Sequence, residues 1–85
     1  MSAELTEDIV GLVEVIVRPL VDSPEAFEIE ASEGDDGTVY IDIKVDEDDA
    51  GKVIGRQGRV IKSIRTLARA LASREGLSCE VELVD

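Results

Sequence analysis

Apolar and polar positions alternate with two different periods along this chain, and each change of period marks a new element. Ile9, Leu12, Val13, Ile16 and then Leu20 recur at three- and four-residue spacing, the period of a helix with one apolar face. Thr6, followed by Glu7 and Asp8, predicts the N-cap and acidic first turn of that helix. Pro19 has no N–H to donate and predicts the helix end near Arg18. Asp22-Ser23-Pro24 predicts a turn.

From Phe27 the period becomes two. Phe27, Ile29 and Ala31 alternate with Glu28, Glu30 and Ser32, which predicts a half-buried strand. Glu33-Gly34-Asp35-Asp36-Gly37 reads as a loop. Val39, Ile41, Ile43 and Val45 then alternate with Tyr40, Asp42 and Lys44, giving a second strand and a hairpin. The acidic run Asp46-Glu47-Asp48-Asp49 predicts the cap and first turn of a short helix, Ala50-Gly51-Lys52-Val53-Ile54. Gly55-Arg56-Gln57-Gly58 interrupts it, a longer helix is expected over 59–74, and Gly76 suits its C-terminal cap. Leu77, Cys79, Val81 and Leu83 alternate with Ser78, Glu80 and Glu82 as a third strand. The expected architecture is α+β, in the order α-β-β-α-α-β. Three strands pack against three helices in one domain, 1–85, without repeats or linkers.

Composition narrows the chemistry. A chain of 85 residues buries about 60–65% of its unfolded surface, so its core is modest. Phe27 and Tyr40 are the only aromatic residues, so that core must be aliphatic, with Phe27 inside it and Tyr40 on the polar strand face. With no histidine there is no Ser-His-Asp triad, no Cys-His pair and no imidazole metal ligand. The acidic run at 46–49 lacks the spacing and central glycine of a calcium loop. Neither a metal, a cofactor, a small-molecule substrate nor an enzymatic activity is expected. The single cysteine, Cys79, falls on the apolar strand face and cannot close an internal disulfide, which favours a reducing compartment. The N-terminal region has no basic, then apolar, leader pattern. The longest apolar stretch, 9–17, is far short of the roughly 20 residues that span a bilayer. A cytoplasmic location without membrane contact is expected.

Twenty acidic and nine basic residues give a net charge of −11, which as a total argues against a nucleic-acid partner. Position reverses that argument. Seven of the nine cations lie between 52 and 74, where there is no acid at all, so the window carries +7 and the remainder −18. Within the longer helix Lys62, Arg65 and Arg69 fall within roughly 60° of one another. Val60, Ile61, Ile64, Leu67, Ala68 and Leu71 lie around the other side.

Gly55 and Gly58 stand inside this window, directly before a helix. Glycines let another chain approach the backbone closely, because no Cβ intervenes. The N–H groups that open a helix favour anions. A P-loop is excluded because Val53 follows Gly51-Lys52, and a dinucleotide fingerprint is excluded because position 53 is not glycine. Close approach, oriented donors and nearby cations suit a sugar-phosphate backbone.

The run Val53-Ile54-Gly55-Arg56-Gln57-Gly58-Arg59-Val60-Ile61-Lys62-Ser63-Ile64-Arg65 resembles the signature of the KH domain. In that family the Gly-x-x-Gly loop clamps about four nucleotides by their backbone. The element order resembles the type II arrangement of that fold, with a mixed sheet. Ile16-Val17-Arg18-Pro19-Leu20-Val21, Ile64-Arg65-Thr66-Leu67 and the closing Val81-Glu82-Leu83-Val84-Asp85 extend the resemblance to the small bacterial KhpA family of single-KH RNA-binding proteins. The resemblance implies a cytoplasmic protein for single-stranded RNA, sometimes described as an RNA chaperone. It also implies self-association or pairing with a larger KH-domain protein.

Carried over residue by residue, Gly55, Arg56, Gln57 and Gly58 form the RNA loop, with Lys52, Arg59 and Lys62 as flanking phosphate contacts. Val53, Ile54 and Val60, with residues of the second strand, are expected to wall a shallow apolar groove beside it. Sequence specificity should be low, because two aromatics make no stacking platform. Leu67, at the margin of the apolar face, with Ala70 and Arg74 nearby, is expected to border a dimer contact. The alternative is an acidic KH-like interaction module, a dimer or heterodimer subunit whose partner supplies most of the RNA contact.

Overall fold

The computed structural model describes residues 3–84, so positions 1, 2 and 85 of the expected domain lie outside the described residues. The elements are α1 (Ala3–Val17), β1 (Glu28–Glu33), β2 (Val39–Lys44), α2 (Ala50–Ile54), α3 (Arg59–Ser73) and β3 (Cys79–Val84). This is the expected α-β-β-α-α-β order. The strands lie in the order β1-β2-β3. β1 and β2 pair antiparallel, Ile29 opposite Ile43, while β2 and β3 pair parallel, Ile41 opposite Val81. A parallel pair needs a long crossover. Here α2, the glycine loop and α3 supply it, so the candidate site is the connection between the two inner-facing strands.

The core is aliphatic. Ile9, Val13, Val17, Val39, Ile41, Ile43, Val53 and Ile64 are fully buried, and burying each contributes about 1.5–3 kcal/mol. Phe27 lies inside it, as expected, at 9% exposure, and the Arg18 guanidinium stands 5.2 Å from its ring centre. Cys79 is buried on the inner strand face, and burial pushes its thiol pKa up.

Two local expectations change. Thr6 is not the N-cap of α1, because the helix already runs from Ala3. The reason is Leu5, 4% exposed, which joins Ile9, Val13 and Val17 in one buried stripe and draws an additional turn into the helix. The second change concerns β1. Ala31 is exposed, and of the expected inward set only Phe27 and Ile29 are covered. β1 is an edge strand, and cover extends only over its first end.

The C-terminal ends of α1 and α3 follow local rules. The α-helix α1 stops at Val17, and Pro19 sits in a single 3-10 turn, Arg18–Leu20. After α3, Leu77 N–H donates to Ala72 O at 3.1 Å and Gly76 N–H to Ser73 O at 3.0 Å. Gly76 has φ +73°. This is a Schellman cap, and it aims the chain directly into β3.

Candidate nucleic-acid interface

The glycine loop is a sharp reversal between two helices. Gly55 has φ +80° and ψ 171°, a region open essentially to glycine alone. Gln57 (φ +58°, ψ 24°) and Gly58 (φ +73°, ψ 17°) are left-handed. A non-glycine residue there is uncommon and carries strain. Gly55 N–H donates to Gly51 O at 2.9 Å and Gly58 N–H to Gly55 O at 3.1 Å. Arg59 N–H donates to Arg56 O. Two donors expected to face an incoming chain, those of Gly58 and Arg59, are therefore used inside the turn. They hold it rigid.

The cations around the loop fall into two groups. Arg56, Arg59 and Lys62 are exposed, and none has a carboxylate partner among the described residues. Arg59 Nη2 donates to the Gln57 side-chain oxygen at 2.9 Å, bracing one loop residue. The other group is engaged. Lys52 Nζ is held by Asp22 and by Asp49, the latter at 3.0 Å. Arg69 lies 3.6 Å from Glu80.

Asp49 is the residue that sequence reasoning missed. The acidic run does begin as a cap, with Asp46 accepting from Asp48 N–H at 2.9 Å. Asp49, however, is 1% exposed. It accepts from Asp22 N–H at 3.1 Å, Ser23 N–H at 3.0 Å and Lys52. Asp22 N–H is the main reason its carboxyl titrates below the usual range, with Lys52 and Ser23 adding to that and burial opposing it. The turn after α1 is thereby fastened to the start of α2. One signal was visible beforehand: a turn exposes backbone donors, and each needs an acceptor.

Side-chain placement corrects the expected groove walls. Val53 is fully buried and supports the loop from within the core, so its side chain reaches no surface. Ile54, 41% exposed, does reach it. Val60 is half-buried against Gly55. The second strand forms no wall, because β2 is central and both its edges are paired. The strand beside α3 is β3. An open groove of about 400 Å³ runs between them, with Lys62, Arg65, Thr66 and Arg69 on the helix side and Glu80, Val81 and Glu82 on the strand side. Arg65 bridges it, its Nε donating to Val81 O at 3.0 Å. Leu67 (46% exposed), Ala70 and Arg74 lie together along the outer part of α3. Tyr40 is exposed on the far face of the sheet. Among the described residues no helix is long and apolar enough to cross a membrane, and no group of carboxylates and cysteine could hold a metal ion.

The family described as "KhpA/KhpB, KH domain" matches residues 11–83. The chain is 41% identical over 73 residues to the RNA-binding protein KhpA of Clostridium perfringens, covering 86% of this chain and 96% of that protein. It is 42% identical, with the same coverage, to the RNA-binding protein KhpA of Caldanaerobacter subterraneus. It is 36% identical over 76 residues to the RNA-binding protein KhpA of Borreliella burgdorferi, covering 89% and 92%.

Proposed function

The chain belongs to the KhpA/KhpB KH-domain family, and from that premise we propose that residues 1–85 form one KH domain that binds single-stranded RNA at the loop 55–58. The supporting observation is the coincidence of a rigid glycine turn with Arg56, Arg59 and Lys62, cations that have no carboxylate partner among the described residues. The backbone of one nucleotide run lies against Gly55, Gln57 and Gly58, and the three cations neutralise its phosphates. Lys52 contributes through its effect on α2 more than through its charge, which Asp22 and Asp49 already offset. A clamp on the backbone is blind to sequence, which suits an RNA chaperone in the bacterial cytoplasm. The −18 outside the basic window confines RNA to this one face and keeps affinity modest. The role is binding, with no catalytic step.

A second reading has its own observation. Leu67 leaves 46% of its surface in water in a domain this small. The same chain then pairs through α3 with a second copy or with a larger KH-domain protein, and the partner supplies most of the RNA contact.

Gly58→Asp tests the first reading. A Cβ at Gly58 meets nothing closer than Lys62 Cε at 3.9 Å, and aspartate tolerates the left-handed region. The folded variant should bind a fluorescent single-stranded RNA at least about tenfold more weakly, through one added charge among the phosphates. Wild-type affinity in the folded variant would sink the reading.

A further inference from the structure

The cations of α3 form a staircase that leads away from the loop. Arg59, Lys62 and Arg65 follow one another at three-residue spacing. Each step advances about 4.5 Å along the helix and turns about 60° around it. The row starts at the glycine loop, crosses α3 obliquely and arrives in the open groove between α3 and β3. Lys62, Arg65, Thr66 and Arg69 line the helix side of that groove.

In the groove the acceptors are spent and the donors are not. Val39 N–H donates to Ser78 O at 2.9 Å. In this parallel register Ser78, Glu80 and Glu82 turn their backbone groups toward β2, and Val81 turns its own to the free edge of the sheet. Arg65 Nε donates to Val81 O at 3.0 Å. That bond covers the edge acceptor and holds the half-buried guanidinium in one plane. The Thr66 hydroxyl is turned back onto Lys62 O at 2.9 Å. Cys79 and Val81 are buried, so Glu80 and Glu82 alternate with them onto the other face of the sheet, that of Tyr40 and Asp42. What remains for a ligand is the Arg65 terminal nitrogens and the Lys62 ammonium. Neither has a carboxylate partner among the described residues, and both groups only donate.

A ligand for this pair must accept and carry negative charge. A nucleobase is uncharged, and its N–H donors would find no acceptor here. A phosphodiester only accepts, and its two non-bridging oxygens match the planar fork of a guanidinium. We propose that Arg65, with Lys62 beside it, holds one phosphodiester of the RNA strand beyond the run clamped by the loop. This rests on the reading of the loop 55–58 as an RNA clamp, and lengthens its footprint by one phosphate. The track ends at Arg65. Arg69, one turn on, lies 3.6 Å from Glu80, and that pair adds no net charge.

Fluorescence anisotropy with two RNAs tests the contact: a uridine tetramer, the length of the run that the loop clamps, and a uridine hexamer. Arg65→Gln keeps a donor for Val81 O, and thermal melting verifies its fold. It should weaken hexamer binding about tenfold, the size of one charge-assisted contact, and leave the tetramer within about twofold of wild type. The salt slope of the hexamer should fall in magnitude by about 0.7. Neutral methylphosphonates at the two outermost linkages of the hexamer should cost the wild type the same factor and cost Arg65→Gln nothing further. An equal loss for both oligomers, the result expected if the fork held a free phosphate ion or acted only at a distance, overturns the groove contact and leaves the clamp standing. So does the absence of any loss, or a methylphosphonate hexamer that the wild type binds like the charged one. Failure of the wild type to bind either oligomer overturns the clamp itself.

Discussion

Gly55 lies so close to Val60 that a Cβ added to the glycine would stand 2.8 Å from the Val60 backbone nitrogen, and closer still to Val60 Cγ2. The loop thus folds back onto the first turn of α3. Gly55 is constrained twice, by this contact and by φ +80° with ψ 171°, whereas Gly58 is constrained by its φ alone. Gly55→Ala should therefore destabilise the protein by about 2–3 kcal/mol, and Gly58→Ala by about 1 kcal/mol. Urea unfolding of the two variants checks the order. Equal losses would mean that the turn relaxes away from Val60.

The tie between Asp49 and the turn at Asp22 should appear as a pH dependence. Backbone donation from Asp22 is the largest influence lowering the Asp49 pKa from 3.8. A depressed carboxyl contributes stability above its unfolded pKa and loses it as pH falls through the folded value. The Lys52 pKa is raised above 10.5, chiefly by Asp22 and then by Asp49, so its contribution holds below that value and is lost above it. The tie is intact between these limits. At pH 7 Asp49→Asn should melt several degrees below wild type, and the gap should narrow below about pH 4. A gap independent of pH from 3 to 7 would show that the carboxylate charge is not what fastens the turn.

Salt should report how many cations the clamp uses. For single strands the slope of log K against log salt is about −0.7 for each phosphate neutralised. Arg56, Arg59 and Lys62 together give a slope of about −2 for the wild type. Arg56→Gln should reduce its magnitude by about 0.7, whereas Lys52→Gln should change it little, because Lys52 is already held by Asp22 and Asp49. A slope changed as much by Lys52→Gln as by Arg56→Gln would show that RNA draws Lys52 away from its carboxylates.

The elements and the loop were legible because each depends on local pattern. Val39, Ile41 and Ile43 alternate and are buried, and Gly55 and Gly58 adopt the positive φ that glycine permits. What was not legible depends on neighbours distant in the chain. α2 spans only five residues, too few to display a period, so the full burial of Val53 could not be read. Asp49 closes a run of four acids that looks solvated, and only the approach of Asp22 and Ser23 makes it a buried acceptor. Ala31 continues an alternation that the edge position of β1 leaves uncovered. Alternation makes the local hairpin of β1 and β2 legible, whereas the parallel pairing of β3 with β2, which puts β3 beside α3, is set by the whole crossover.

Self-association is the last property that one residue can decide. Leu67 is 46% exposed, with Ala70 and Arg74 also exposed one and two turns on, while Ile64 and Ala68 beside it are fully buried. Its side chain therefore contributes little to the core, and a carboxylate there should leave the melting temperature of the folded unit almost unchanged. In a contact between two α3 helices the same carboxylate would be buried against an apolar partner, at a cost that a small interface cannot absorb. Light scattering of the wild type should give twice the 9.2 kDa chain mass, and Leu67→Asp should give that mass once. A dimer that survives the substitution would move the contact off this part of α3, and a monomeric wild type would remove the homodimer and leave pairing with a different KH-domain protein.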